Sequence, residues 1–328
     1  MLIFLRDSSA YTSAPDLPQA QRAYHSFEVK LVVGSDVRME VNLSTNPAPS
    51  PGPKEVIRQE WLEAAPFWQK WFDKLSFQSR AATELILQGA QLSPGLHILD
   101  LASGSGEPAL ALAKAVGPDG RVVATDLVPE MLLVAQENAH AHRLANTEFR
   151  AADAEQLPFA RASFDRVTCR FGIMLFPDIP KSLSEIRRVL KPAGRISFLV
   201  WGSSANNPLF STIIGPFLKH IKVPTPAPDA PHIFRFADES KLAAVLTSAG
   251  FRELSVATHK VSWPWPGPPE EAWQASREIA APFKKMIAAL PPDKTDEVHQ
   301  EVIDGIRRYF DGRQVNFSAS LVAATALA

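Results

Sequence analysis

Residues 99–113 read LDLASGSGEPALALA: Asp100 closes an apolar run, and Gly104 and Gly106 follow it, ahead of an alanine-rich stretch. An acid at a strand tip, a glycine bend and a helix start together make a ligand loop. Glycines admit positive φ and let ligand atoms approach the backbone, and the free N–H groups of the following helix point into the bend. Gly104-x-Gly106-x-x-Ala109 satisfies the dinucleotide fingerprint, which a purely structural strand-to-helix turn satisfies equally. A second acid, Asp126, ends RVVATD about twenty residues further on, where a carboxylate accepts both hydroxyls of a ribose. Its competing reading is a helix cap or Asx turn ahead of Pro129.

Asp100 separates the cofactors that such a loop can hold. A carboxylate just ahead of the glycines repels a pyrophosphate and attracts a ligand with a cationic amino-acid end. S-adenosylmethionine carries an ammonium, a sulfonium and an adenosine, and no phosphate. The acid therefore favours a methyl donor over a nicotinamide dinucleotide.

These residues need strand ends to stand on, and the flanking pattern supplies them. HILDLA, GRVVATD, TEFRAAD, SFDRVTCRFG and GRISFLVWG read as strands, separated by helical stretches such as GEPALALAKAV, PEMLLVAQENAHAHRL and IPKSLSEIRRVL. Strands alternating with helices of this length give right-handed βαβ units and a doubly wound parallel sheet with both faces covered. Ahead of them, EVIRQEWLEAAPFWQKWFDKL reads as short helices interrupted by Pro66. Alternation breaks at about 203–237 and about 264–313, two helical insertions expected, with the aromatic N-terminal helices, to form a lid over the acceptor pocket; RELSVATHKVSW precedes the second, and a last strand is expected at about 315–327.

The chain of 328 residues carries 34 basic against 35 acidic residues, a balance that offers no field for nucleic acid. Cys169 is the only cysteine, which excludes an internal disulfide and a CxxC metal site and fits a reducing cytoplasmic setting. No metal is indicated, since no His/Asp/Glu group has ligand spacing, and no apolar run approaches the ~18 residues of a membrane span. STNPAPSPGP, residues 44–53, reads as a linker. Residues 1–53 are therefore expected to be a flexible N-terminal appendage, in which SFEVKLVVGSDVRMEV is a weak hairpin and Met39 an alternative start, with the main domain at 54–328 and its core at 84–201.

HILDLASGSGEPALALA, VVATDLVPEML, AADAEQLPFARASFD and EIRRVLKPAGRISFLVWG resemble, in order and spacing, the class I S-adenosylmethionine-dependent methyltransferases, most closely the ubiquinone/menaquinone C-methyltransferase group. The resemblance spans about 57–328. It implies a seven-stranded, mostly parallel Rossmann-like sheet whose seventh strand runs antiparallel, and S-adenosylmethionine as donor with S-adenosylhomocysteine as product. It assigns Asp100, Ala102, Ser103, Gly104 and Gly106 to the methionine part of the donor, Asp126 to the ribose, and Leu127 and Met131 to the adenine surroundings. Asp153 and Ala154 fall to the adenine amino edge, and Arg170 and Phe171 to the strand end facing donor and acceptor. Core packing competes for Met131 and Phe171, and a turn cap for Asp153.

Methyl transfer from a sulfonium is an in-line displacement that needs positioning more than a catalytic side chain; His232 is the one candidate base. Trp61, Phe67, Trp68 and Trp71 are candidates to wall the pocket of a small apolar or aromatic acceptor such as a quinone precursor, phenol or natural product. Trp263 and Trp265 extend that wall or lie on a membrane-facing or dimer surface. The expected protein is a cytoplasmic monomer or homodimer. A nicotinamide oxidoreductase and a non-catalytic donor-binding regulator are the competing readings.

Overall fold

The computed structural model describes residues 27–32, 38–43, 52–227 and 229–328. The chain divides into two units, Met1–Pro51 and Gly52–Ala328. In the first, β1 (Phe27–Val32) and β2 (Arg38–Leu43) pair antiparallel with Val32 opposite Arg38. The flexibility and start site expected of residues 1–53 fall largely outside the described residues.

The second unit opens with α1 (Pro53–Lys70), α2 (Phe72–Gln78) and α3 (Arg80–Ala90). Pro66 does not interrupt α1, contrary to the sequence reading. Pro66 removes a single N–H, and the helix is pinned on both sides of it: Lys54 at one end and Lys70 at the other bind carboxylates elsewhere in the chain. The break comes at Trp71, with φ −102° and ψ 7°.

There follow β3 (His97–Leu101), α4 (Ala109–Val116), β4 (Arg121–Asp126), α5 (Pro129–Ala141), β5 (Thr147–Ala151), β6 (Phe164–Arg170), α6 (Ile179–Val189) and β7 (Leu190–Trp201). Then come α7 (Pro208–Leu218), α8 (Glu239–Ser248), β8 (Arg252–Trp265), α9 (Pro269–Ile279), α10 (Ala281–Ala288), α11 (Thr295–Arg307) and β9 (Val315–Leu327). Acidic caps fix two starts: Asp178 accepts the Lys181 N–H ahead of α6, and Asp238 that of Ser240 ahead of α8.

The sheet order is β5-β4-β3-β6-β7-β9-β8. β3 to β7 are parallel, and β9 runs antiparallel to both β7 and β8. This is the doubly wound sheet foreseen, with its seventh strand inserted beside the fifth. Successive side chains of a strand point to opposite faces, so Ile98 and Val122 join one core while Leu99 and Val123 join another. The first core includes α3, α4 and the insertion helices α7 and α9–α11; the second includes α6 and α8. Order reverses at β3, between β4 on one side and β6 on the other, and the crevice beyond those strand ends is where open α/β sheets bind ligands. No helix of the described residues is long and apolar enough to cross a membrane.

Candidate active site

The glycine bend sits at that switch point. Ala102 and Gly104 take φ of 51° and 53°. The bend is held from below: Ser103 N–H donates to Thr125 O at 2.9 Å, and the Ser103 hydroxyl to Asp100 O at 2.9 Å. A Cβ added at Gly104 would lie 3.3 Å from Met131 Cε, in the space a ligand needs. Gly106 has a different task. At φ 115° its missing side chain lets the bend lie against Ala135 of α5, whose Cα and Cβ would be 3.3 Å from an added Cβ, and it does not line the cavity.

A cavity of about 150 Å³ opens over this bend. It gathers Ala102, Ser103, Gly104, Asp126, Leu127, Asp153, Ala154, Arg170 and Phe171 from four strand ends and the loops after them, and Met131 from α5. Asp126 is fixed by backbone: Gly104 N–H donates to its Oδ2 at 2.9 Å and Val128 N–H to its Oδ1 at 3.0 Å. Burial pushes its carboxyl above the usual range, while these N–H groups pull it back. Each oxygen keeps a lone pair for a hydroxyl. Both sequence readings of Asp126 therefore coexist, because the carboxylate ties the turn and still faces the cavity.

Asp100 departs from expectation. Its side chain has no exposed surface and does not line the cavity. It lies under the bend, where Thr168 Oγ1 donates to its Oδ1 at 2.6 Å and its Oδ2 has no partner. Burial pushes its pKa up to about 7. The strand tip turns the side chain into the sheet, so Asp100 makes no contact with the cavity.

Arg170 is locked in place. Its Nη1 donates to Ser79 Oγ and Thr83 Oγ1 at 2.9 and 2.8 Å, and its Nη2 to Glu107 O at 2.9 Å. Phe171, at φ 63°, stacks on Trp201 with ring centroids 4.8 Å apart. It is both packed and cavity-lining, as is Met131.

Of the four aromatic candidates only Trp61 and Trp68 reach the cavity. They lie seven residues apart and so share one face of α1, with ring centroids 5.7 Å apart. Phe67 and Trp71 point the other way. Phe67 packs beneath Lys284, and Trp71 packs edge-on to Trp265 and donates its indole N–H to Glu278 at 2.7 Å. His232 does not line the cavity either. Its Nδ1 meets Phe234 N–H at 3.2 Å, and it lies in the positive field of Lys241 and Arg235. Trp263 and Trp265 are buried, so neither lies on an outer surface.

Of the expected lid, only the N-terminal helix reaches the cavity. Among the described residues none of 203–237 or 264–313 lines it; α1 covers it, through Lys54, Ile57, Arg58, Trp61 and Trp68. Lys54 Nζ binds Asp153 Oδ2 at 2.7 Å and Glu155 Oε2 at 2.5 Å, fastening the start of the helix across the adenine side. The insertions brace α1 from behind, through Lys285 on Glu60 and Lys70 on Glu278 at 2.8 Å. α1 thus covers one side of the cavity, held there by Lys54. Lys54, Glu155, Glu107 and Phe176 are lining residues that sequence reasoning missed; Glu155 lay within the AADAEQLPF motif, and Lys54 had no signal of its own.

The lining fits an adenosine-bearing cation without phosphates. Glu107, Asp126, Asp153 and Glu155 surround it, while its three basic groups are engaged: Lys54 with Asp153 and Glu155, Arg58 with Glu55, and Arg170 as above. A diphosphate would meet acids. Among the described residues no group of three His, Cys, Asp or Glu side chains is arranged to hold a metal ion.

The ubiE/COQ5 methyltransferase family profile matches residues 70–225. The chain is similar to a ubiquinone/menaquinone biosynthesis C-methyltransferase of Rubrivivax gelatinosus, 38% identical over 219 residues, 64% of this chain and 84% of that protein. It is also similar to a demethylmenaquinone methyltransferase of Deinococcus radiodurans, 33% identical over 185 residues, 52% of this chain and 74% of that protein. In fold it is similar to the Haemonchus contortus phosphoethanolamine N-methyltransferase 2 solved with S-adenosyl-L-methionine, with TM-score 0.52 and 16% identity over 88% of this chain and 62% of that one.

Proposed function

The chain belongs to the ubiE/COQ5 methyltransferase family, and from that premise we propose that it methylates a ring carbon of a quinone-type acceptor. It is an S-adenosylmethionine-dependent methyltransferase, and the nicotinamide reading is not favoured. The observation that carries the acceptor class is the lining of the cavity, in which the rings of Trp61, Trp68, Phe171 and Phe176 join the acids and the glycine bend. The flat aromatic faces match a flat, apolar ring.

When bound, the donor supplies a methyl group on a positively charged sulfur. The residues around it bind and orient. Asp126 accepts from the ribose, Asp153 from the adenine amino edge, and Gly104 leaves room for the methionine part. Trp61 and Trp68 hold the acceptor ring and exclude water, and such positioning contributes about 7–11 kcal/mol. A quinone ring is electrophilic, so the acceptor that can attack a methyl sulfonium is the reduced, dihydroxy form; attack by the ring carbon then releases that carbon's proton. The near-zero net charge supports the absence of a nucleic-acid partner; a cytoplasmic monomer or homodimer is part of the same proposal.

The test is turnover with methyl-labelled donor and a demethylated menaquinol analogue, with the product mapped by mass spectrometry. Label on a ring carbon of the quinol, and none with the oxidised quinone, is the expected result. Label on oxygen, or S-adenosylhomocysteine failing to bind, refutes the reading.

A further inference from the structure

A second, larger hollow lies away from the donor cavity, on the sheet face covered by α6 and α8. It is a groove of about 1080 Å³. Its floor is apolar, with Ile179, Leu183, Leu190 and Phe236 all buried. Its rim carries Arg161, Arg187, Arg188, Lys191, Arg235 and Lys241 against one acid, Asp229. In a chain with net charge −1 that is a concentration of positive charge in one place.

Three of the six cations have acid partners. Arg188 binds Glu185, Lys191 binds Asp165, and Lys241 binds Asp229. Among the described residues no carboxylate within ion-pair distance serves Arg161, Arg187 or Arg235, and all three are arginines. Arg187 lies across the groove from α6 to the end of α8: its Nη1 donates to Ala249 O at 3.3 Å and would be 2.5 Å from a Cβ at Gly250. Arg235 is 9% exposed, its Nε has no partner, and its Nη1 donates to Phe176 O at 2.6 Å, the backbone of a donor-cavity residue.

Guanidinium groups match phosphate oxygens in geometry and are the least costly cations to desolvate. An apolar floor beneath them suits a hydrocarbon chain. We propose that this groove binds an anionic phospholipid, its phosphate held by Arg161 and Arg187 near the end of α6 and its acyl chain laid over Pro180, Ala244 and Val245 toward Arg235. An inorganic anion would leave the floor unused, and a neutral lipid would leave the arginines uncompensated. Through Arg235 and Phe176 the occupant abuts the wall of the donor cavity.

The test is calorimetry of the full chain with monomeric dihexanoyl phosphatidylglycerol, with dihexanoyl phosphatidylcholine and inorganic phosphate as the other arms. Phosphatidylglycerol is expected to bind at least tenfold tighter than either. The Arg161→Glu/Arg187→Glu double variant should lose at least tenfold in that affinity with unchanged affinity for S-adenosylhomocysteine. Ser184→Trp, at an exposed position on the groove, should block binding by filling it. Equal binding of the two lipids, or phosphate binding as tightly as the anionic lipid, overturns the proposal, as does no binding at all. So does a double variant that keeps lipid binding and instead changes the mass seen by light scattering, which would make the groove an interface between copies.

Discussion

Replacing Asp100 by Asn separates the electrostatic cost of that buried acid from its role beneath the bend. Burial carries its pKa from 3.8 to about 7, so between those values the folded chain holds a proton that the unfolded chain has released. Stability therefore falls as pH rises through that window and stays at its lower level above it. The full displacement is worth about 4 kcal/mol, at one pKa unit per 1.36 kcal/mol. About 1.7 kcal/mol of it is already present at pH 5, leaving about 2 to 3 kcal/mol to appear between pH 5 and pH 8. Asn keeps an oxygen for the Thr168 hydroxyl and carries no charge, but it puts an unpaired N–H where Oδ2 stood, at a cost of about 1–3 kcal/mol. That cost does not change with pH. Urea unfolding of both proteins at pH 5 and pH 8, read by tryptophan fluorescence and extrapolated to water, isolates the ionisation. The variant should gain about 2 to 3 kcal/mol relative to wild type on going from pH 5 to pH 8. A variant-minus-wild-type difference that is the same at both pH values refutes the reasoning.

Asp126→Ala should weaken S-adenosylhomocysteine binding at least tenfold by calorimetry, since it removes the acceptor of both ribose hydroxyls and frees the Gly104 N–H. Lys54→Met unfastens α1 from Asp153 and Glu155 and should speed S-adenosylhomocysteine release severalfold in stopped-flow displacement; an unchanged rate would show that α1 is not the gate. Trp68→Phe deletes an indole N–H that has no protein partner but also gives up one of two fused rings, so its melting temperature should fall less than that of Trp68→Ala, as differential scanning calorimetry can show. Trp61→Ala should raise the acceptor KM at least tenfold, measured in steady-state turnover.

The order of strands and helices from β3 to β7 was legible because buried parallel strands and amphipathic helices leave different periods in a sequence. Most of the cavity-lining residues were legible for the same reason: they sit at strand tips and in the loops after them, and the motifs mark those loops. What failed were questions of direction. Whether Asp100 faces the cavity or the sheet depends on the turn at Ala102, and nothing in LDLASGSG fixes that sign. Phe67 and Trp71 stood in the same aromatic run as Trp61 and Trp68; the helical period turns Phe67 about 100° from Trp68, and the break at Trp71 redirects its ring. That separation was obscured by treating Pro66 as a break. Lys54 reaches partners about a hundred residues away, and no local pattern announces a contact of that range.

The placement of β9 has a consequence for how the protein is made. On a ribosome β7 and β8 emerge first, yet they cannot neighbour each other, because the strand that belongs between them is still being synthesised. Until it arrives, both present unpaired backbone to the cell, and either edge can recruit a strand from another nascent chain. Synthesis that stalls after β8 would thus leave two adhesive borders in place of a closed sheet.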